Sequence, residues 1–566
     1  MSYSLLPARV LTRILEHLFW VPVRDSSMRA LGLPLNHQAL VPALSVCHTW
    51  RVQAAKLFYR VATIVAGRNG GDTAAWVVST QRLRGPVKPN IDLILNSGYA
   101  PKTTQLLIFS TTGLSPAEMA AAVDASRFCE FVWPSITHLH YYHPPIPDAG
   151  SCVELVNDTA IIALNNSLDL SIPRLSHVSA LSNTPDSFGL FALDDLIIAK
   201  MSQLRALTVL SQGPIRLGAK ELPSFLTNLT IRSSSPELTT VSIPRTASAA
   251  LISIDIGPIL PDDIWGQFSI GPADFTNLRE LRLTFDDVRS QHRHPYLHRH
   301  RTPRSTSDAT TGRGWPLFPR LTALSVEGYP YETAYFLENF PRSQLTRLAI
   351  RRCAQQASKF TLTPFTGLIS FNGDMPDCDP SNEGDESVIE EWISQTMQSD
   401  MPTMRSLSLS VGPEIFIELP AQFGLAGLRH LTLSTGLRIL EIEKILLSFS
   451  QLRSLRVTVT EVLGRTHEYL SRTTRHKKYV PQELQDRPWL SITLKDLEVW
   501  LLEPSPGRQR RALLKIIHMA MRVPSILRIA TQREYLEELR ELGQHMPAVQ
   551  ITDVSSVADS DRHMWC

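Results

Sequence analysis

Cysteine is scarce. Six residues, Cys47, Cys129, Cys152, Cys353, Cys378 and Cys566, are spread over 566 positions, and none forms a Cys-x-x-Cys pair. This argues against a zinc ribbon or a dithiol redox centre and fits a reducing compartment, cytoplasm or nucleus. No apolar run approaches the roughly 20 residues of a membrane span. The apolar start is interrupted by Arg9, Arg13 and Glu16, unlike a secretory leader. An excess of one charge is missing too: 56 Lys and Arg balance 54 Asp and Glu, leaving +2. Such balance is not that of a general nucleic-acid binder, which carries a basic domain or stripe. Gly-rich phosphate loops, nucleophile elbows and His-Glu-x-x-His are all absent. The sequence therefore predicts a non-enzyme with no catalytic residues, metal or cofactor.

What remains is apolar and leucine-rich. Hydrophobic residues make up 43% and charged residues 19%, a globular composition. The 76 leucines are largely periodic. The phrase Leu-x-x-Leu-x-Leu, with Val, Ile or Met allowed, stands at Leu204, Leu226, Leu251, Leu278, Leu321, Leu345, Met404, Leu428, Leu452 and Leu494. Weaker copies begin at Ile136, Leu175 and Leu368. Counted from Leu204 and including Leu368, the spacings are 22, 25, 27, 43, 24, 23, 36, 24, 24 and 42. Most fall in the range of about 20–29 residues typical of leucine-rich repeats. The fourth and sixth positions of a strand face one side, because side chains alternate with period 2. Each unit then has one apolar side that only stacking can bury, which predicts a parallel sheet.

Three long spacings carry insertions at 286–315, 373–400 and 460–490. The first is basic and holds His292, His294, His298 and His300. With no supporting carboxylate or cysteine pattern, it reads as a flexible basic loop. The second holds Asp374, Asp377, Asp379, Glu383, Asp385, Glu386, Glu390, Glu391 and Asp400 without Lys or Arg, and reads as a solvated acidic loop. The third, with Arg472, Arg475, Lys477 and Lys478, is again basic. Residues 506–552 read as a terminal cap, with a strand over 525–531 and a helix near 533–543, and 553–566 as a disordered tail.

Residues 1–65 have another character. Val10, Ile14 and Leu18 lie four apart beside Leu11 and Leu15, giving a helix with a broad apolar face. Residues 19–38 read as a loop. A second helix is expected after Pro42, with Val46, Trp50, Ala54 and Leu57 on one side, and an extended segment from Val61 to Val65. Residues 66–100 read as a connecting segment and 101–505 as the repeat array.

The order Leu6-Pro7, apolar helix, Val46-Cys47-His48-Thr49-Trp50 and Leu57-Phe58-Tyr59-Arg60 resembles an F-box. The repeats behind it resemble the degenerate leucine-rich repeats of F-box proteins. The resemblance implies an α/β fold: a short helical module, then an irregular solenoid with its parallel sheet on the concave face. It implies a substrate-recognition adaptor of an Skp1–cullin–F-box ubiquitin ligase. An Skp1-like adaptor, and through it a cullin, would be held by Leu6, Pro7, Val10, Ile14, Leu18, Val46, Cys47 and Trp50. A protein target would meet outward strand positions such as Arg282, Arg347, His430 and Arg456. No membrane or nucleic-acid partner is expected. The alternative is a repeat scaffold acting outside any ligase. Arg205, Arg279, Arg405, Arg429, Arg453 and Lys495 all follow the first residue of a repeat, a basic row that reads as a solvated edge.

Overall fold

The computed structural model describes residues 7–19, 21–22, 32–33, 37–66, 77–78, 81–82, 89–110, 116–143, 171–182, 203–211, 216–217, 222–233, 240–241, 243, 245–259, 275–285, 318–328, 342–351, 362, 364–374, 383–416, 419–420, 422–459, 490–501, 506–542 and 548–553. The insertion 286–315 and residues 460–489 of the insertion 460–490 lie outside them, as does the tail beyond Asp553. The chain divides into two compact units, Met1–Leu321 and Thr322–Cys566.

The first unit opens with three helices: α1 (Ala8–Phe19), α2 (His37–Val46) and α3 (His48–Phe58). They pack on one another through Leu11, Leu15, Ala43, Ala54 and Leu57, all buried. This corrects the single helix expected after Pro42; of the loop expected over 19–38, Phe19 ends α1, His37 and Gln38 begin α2, Val21–Pro22 pairs with Gly32–Leu33, and residues 20, 23–31 and 34–36 lie outside the described residues. The helix begins at His37 and runs through Pro42, and the break falls at Cys47. Cys47 is extended (φ −159°, ψ 174°) and caps α3, so Val46 and Trp50 belong to different helices.

Eight parallel strands follow: β1 (Val61–Ala66), β2 (Gln105–Ser110), β3 (His138–His143), β4 (His177–Ser182), β5 (Ala206–Ser211), β6 (Asn228–Ser233), β7 (Ser253–Ile259) and β8 (Glu280–Phe285). Each pairs with the next in chain order. The register aligns the fourth residue of every repeat: Ala62, Leu106, Leu139, Val178, Leu207, Leu229, Ile254 and Leu281. All eight are buried. The weak copies at Ile136 and Leu175 thus form full strands. The array also starts earlier than expected, at Val61. Among the described residues of its unit β1 pairs with β2, and its other side is met by Asn90, just before helix α4 (Ile91–Asn96); helix α5 (Pro116–Ala125) follows β2. Asn90 N–H donates to Thr63 O at 3.2 Å. Its Oδ1 accepts from Thr63 N–H at 2.7 Å, and its Nδ2 donates to Val61 O at 3.0 Å. One asparagine thus stands in for a neighbouring strand and satisfies an otherwise orphaned edge.

The second unit holds nine parallel strands: β9 (Ala323–Glu327), β10 (Arg347–Arg351), β11 (Ser370–Asp374), β12 (Ser406–Phe416), β13 (His430–Leu437), β14 (Ser454–Val459), β15 (Asp496–Leu501), β16 (Arg528–Thr531) and β17 (Gln550–Asp553). They too pair in chain order. The copy at Leu368 forms β11. Within the acidic segment 373–400, residues 383–398 are corrected from loop to helix, α6 (Glu383–Gln398), while 375–382 lie outside the described residues. Ile389, Trp392, Ile393, Thr396 and Met397 are buried, a stripe at helical spacing that ties the segment to the core. Its carboxylates Glu390 and Glu391 stay half-buried or exposed. Helices α7 (Ile439–Ser448) and α8 (Pro506–Met521) pack together with apolar faces buried. A last helix, α9 (Leu536–Leu542), precedes β17, which the sequence did not announce.

A main-chain spine runs along each sheet just before the strands. The carbonyl at the second position of one repeat accepts two N–H groups from the next. Arg205 O takes Thr227 N–H at 2.7 Å and Asn228 N–H at 3.0 Å; Arg429 O takes Arg453 N–H at 2.8 Å and Ser454 N–H at 3.1 Å. The backbone alone fixes this position. Thr104, Ser176, Arg205, Ile252, Arg405, Lys495 and Leu527 can therefore all occupy it.

Candidate functional site

Two surfaces gather the residues singled out by sequence. On the helical module, Pro7, Val10, Ile14 and Val46 are exposed, Val10 by 43%, Ile14 by 39% and Val46 by 55%. Cys47 and Trp50 are half-buried beside Val46. Leu18 lies on α1, and Leu6 lies outside the described residues. The helical pattern explains the split: α1 turns Leu11 and Leu15 inward, and Val10 and Ile14, one residue earlier, come round to solvent. Thr12 Oγ1 on α1 meets Gln53 Oε1 on α3 at 3.4 Å, and Arg51 Nε donates to Leu44 O at 2.9 Å. Exposed apolar side chains thus stand on a helical frame that has its own core. By contrast, Tyr59 at the end of the F-box-like segment stacks on Tyr99 at 4.4 Å, and Arg60 O receives Thr104 and Gln105 N–H groups. That end of the segment joins the helices to the sheet.

The second surface is the polar face of the sheets. His430 (β13) and Arg456 (β14) lie on adjacent strands, with His430 opposite Ser454 and Thr432 opposite Arg456. Arg347 is exposed on β10, three strands from His430 in the same unit, about 14 Å away at normal strand spacing. Arg282 stands on β8 of the other unit, in register with Asp255, and Asp255 is held by Arg232 at 2.8 Å. The four residues expected to meet a target are therefore not one cluster; only His430 and Arg456 share a patch. Arg456 is committed to Glu498 at 2.7 Å, and Glu498 also accepts from Trp500 Nε1 at 2.8 Å. Burial lowers the pKa of His430, and Arg453 and Arg429 lower it further against an opposing effect of Asp496.

Sequence reading missed a histidine group on the first unit. His138 and His140 alternate along β3, and the register sets His177 of β4 opposite His138. The His138 and His177 rings stack at 4.3 Å. His140 Nδ1 lies 2.6 Å from Ser179 Oγ. Thr137 and Ser176 hydroxyls lie 2.8 Å from Nδ1 of His138 and His177. Burial first, then the neighbouring His177 and Arg60, lower His138 to about 4; burial, then His138 and His177, lower His140 to about 4. The available signal was the His-x-His alternation in a weak repeat copy, but only the register brings in His177.

Among the described residues, no group of three or more His, Cys, Asp and Glu side chains could hold a metal ion. No described helix is long and apolar enough to cross a membrane. His292, His294, His298 and His300 fall outside the described residues. Comparison with protein-family models finds no match, and comparison with curated proteins finds none either.

Proposed function

We propose that this chain is a non-catalytic, substrate-recognition adaptor of an Skp1–cullin–F-box type ubiquitin ligase. The helical module docks an Skp1-like adaptor, and the leucine-rich repeats hold a target protein in the cytoplasm or nucleus. The supporting observation is that Val10 and Ile14 on one face of α1, and Val46 at the end of α2, are left in water by helices that already have a core in Leu11, Leu15, Ala54 and Leu57. Exposed apolar side chains grouped on a rigid support mark a protein contact. The rate gain such an adaptor brings is proximity, since it holds ligase and target together.

The test is co-purification of the full chain with an Skp1-like adaptor. The intact chain is expected to retain it. Val10→Asp with Ile14→Asp, and separately Trp50→Ala, are expected to lose it without lowering the unfolding temperature of the repeats. An intact chain that never retains the adaptor overturns the reading. A scaffold role outside a ligase draws on Arg9, which stands where F-boxes often carry an acidic residue. Retention of the adaptor without any cullin selects that second reading.

A further inference from the structure

The second position of consecutive repeats in the second unit reads Ile369, Arg405, Arg429, Arg453, Lys495 and Leu527. A continuous spine joins them: Arg405 N–H to Ile369 O, Arg429 to Arg405, Arg453 to Arg429, Lys495 to Arg453 and Leu527 to Lys495, each at 2.8–2.9 Å. One basic side chain thus follows another at about 4.8 Å, the distance between hydrogen-bonded strands.

The side chains do not share one role. Arg405 is half-buried and folds back, donating through Nη1 to Pro402 O at 2.8 Å and Gly427 O at 3.0 Å. Gly427 leaves it room; a Cβ there would collide with the guanidinium. Arg429, Arg453 and Lys495 are exposed, and among the described residues none of the three forms an ion pair. Two carboxylates on the strand that follows Lys495 are already engaged: Asp496 with Arg528 at 3.1 Å and Glu498 with Arg456 at 2.7 Å. The turns leading to the three cations, residues 425–428, 449–452 and 490–494, contain no Asp or Glu. His430 sits half-buried between Arg429 and Arg453, and the hydroxyls of Ser406 and Ser454 share its row. At the two ends stand exposed aliphatic residues, Ile369 at 45% and Leu527 at 57%. The strand register does not require a cation here, since Thr, Ser, Ile and Leu fill the same position elsewhere. Packing therefore does not account for the run of cations.

We infer that this strip is a docking surface for an extended acidic segment of a partner protein, its carboxylates or phosphates on Arg429, Arg453 and Lys495 and its apolar flanks on Ile369 and Leu527. Guanidinium forks suit planar or phosphate oxyanions, and His430 and the serine hydroxyls add polar contacts beside them. A protein segment fits better than a nucleic acid. The strip has no aromatic side chain on which a base could stack, and its ends are aliphatic. The inference names the chemistry of the target in the adaptor reading, yet the surface would bind the same segment without any ligase.

The test is fluorescence anisotropy with the full chain and a labelled twelve-residue peptide carrying four glutamates between terminal leucines. A matched peptide has glutamines in their place, and a third has phosphoserines. Binding is expected for the acidic peptides, at least tenfold weaker for the glutamine peptide and weakening as salt rises. Arg429→Glu with Arg453→Glu should weaken it at least tenfold, and Arg429→Gln with Arg453→Gln by a smaller factor. Arg205→Glu, in the first unit, should leave it unchanged. Tighter binding of the phosphoserine than of the glutamate peptide assigns the oxyanion to phosphate; the reverse assigns it to carboxylate. No binding of either acidic peptide at millimolar concentration overturns the inference. So does equal binding of the glutamine peptide, or stronger binding of a twelve-nucleotide single-stranded RNA that the double reversal abolishes. Adaptor retention, measured on the same variants, is expected to be unchanged, so this inference and the ligase reading can fail separately.

Discussion

Trp392 of α6 occupies the space that a side chain at Gly373 of β11 would need. A Cβ on Gly373 would lie 2.5 Å from Trp392 Cη2, and the indole also meets Phe371 edge-on at 6.3 Å. Every neighbouring strand puts an apolar side chain at the position of Gly373: Ile350 on one side and Leu409 on the other. Here the helix supplies it instead. Gly373→Leu is expected to destabilise the second unit by about 1–3 kcal/mol through overpacking, and Trp392→Ala by about 3–5 kcal/mol through a cavity. Combining Trp392→Ala with Gly373→Leu should recover part of the loss. Thermal unfolding of the three variants checks this; strictly additive losses would count against the pairing.

Arg456 stands on the polar face, yet its pair with Glu498 makes it structural. Glu498 is only 8% exposed at its side chain. Arg456→Met leaves that carboxylate without its cation and is expected to destabilise by roughly 2–3 kcal/mol. Adding Glu498→Gln should restore most of the stability, because no buried charge is then left unpaired. Denaturant unfolding of the single and double variants distinguishes this from a role in binding alone.

The histidine group makes the first unit acid-sensitive. His138 and His140 titrate near 4 in the folded chain, against about 6.5 for an unperturbed histidine. Between those values the unfolded chain binds protons that the folded chain does not, so stability falls as pH drops from about 6.5 to 4. For His140, the more buried of the two, the loss by pH 4 is about 3 kcal/mol. His140→Gln should flatten the profile across that window while leaving stability above pH 7 less changed. Unfolding midpoints measured from pH 4 to 8 provide the check.

Asn90 is expected to be more important than its single side chain suggests. Asn90→Ala strands Thr63 N–H and Val61 O, both in a buried strand, at about 1–3 kcal/mol for each group. Asn90→Asp keeps an acceptor for Thr63 N–H but loses the donor to Val61 O, and should fall between. Hydrogen exchange at Thr63 provides the local readout, and it should accelerate most in the alanine variant.

Much of the fold was legible because the repeat phrase is itself a geometric statement. Positions four and six of each copy, such as Leu431 and Leu433, are the residues the register stacks and buries. What escaped notice did so for identifiable reasons. In 373–400 the density of Asp and Glu masked Ile389, Trp392, Ile393 and Met397, although these four carry the helical period. Val61–Ala66 was read as extended but not as the first strand of the array, because Tyr59, Ala62 and Ile64 do not resemble a leucine repeat. The apolar residues of α1 were legible but not their split, since Leu11 and Leu15 turned inward leave Val10 and Ile14 outside. The basic strip was visible as scattered residues; only the spine shows that Arg405, Arg429, Arg453 and Lys495 are neighbours.

A sheet that gains one parallel strand per repeat contains no rule for stopping. Each new strand offers the same edge as the last, and any extended chain of suitable pattern could continue it. Asn90 supplies a stop in the alphabet of the backbone itself. It presents one donor and one acceptor from its amide and a further donor from its own main chain, where a strand would present peptide groups, and then α4 turns away. Along Val61–Thr63 the backbone is therefore answered by one residue, and a chain that lost its side chain would leave Thr63 N–H and Val61 O without those partners.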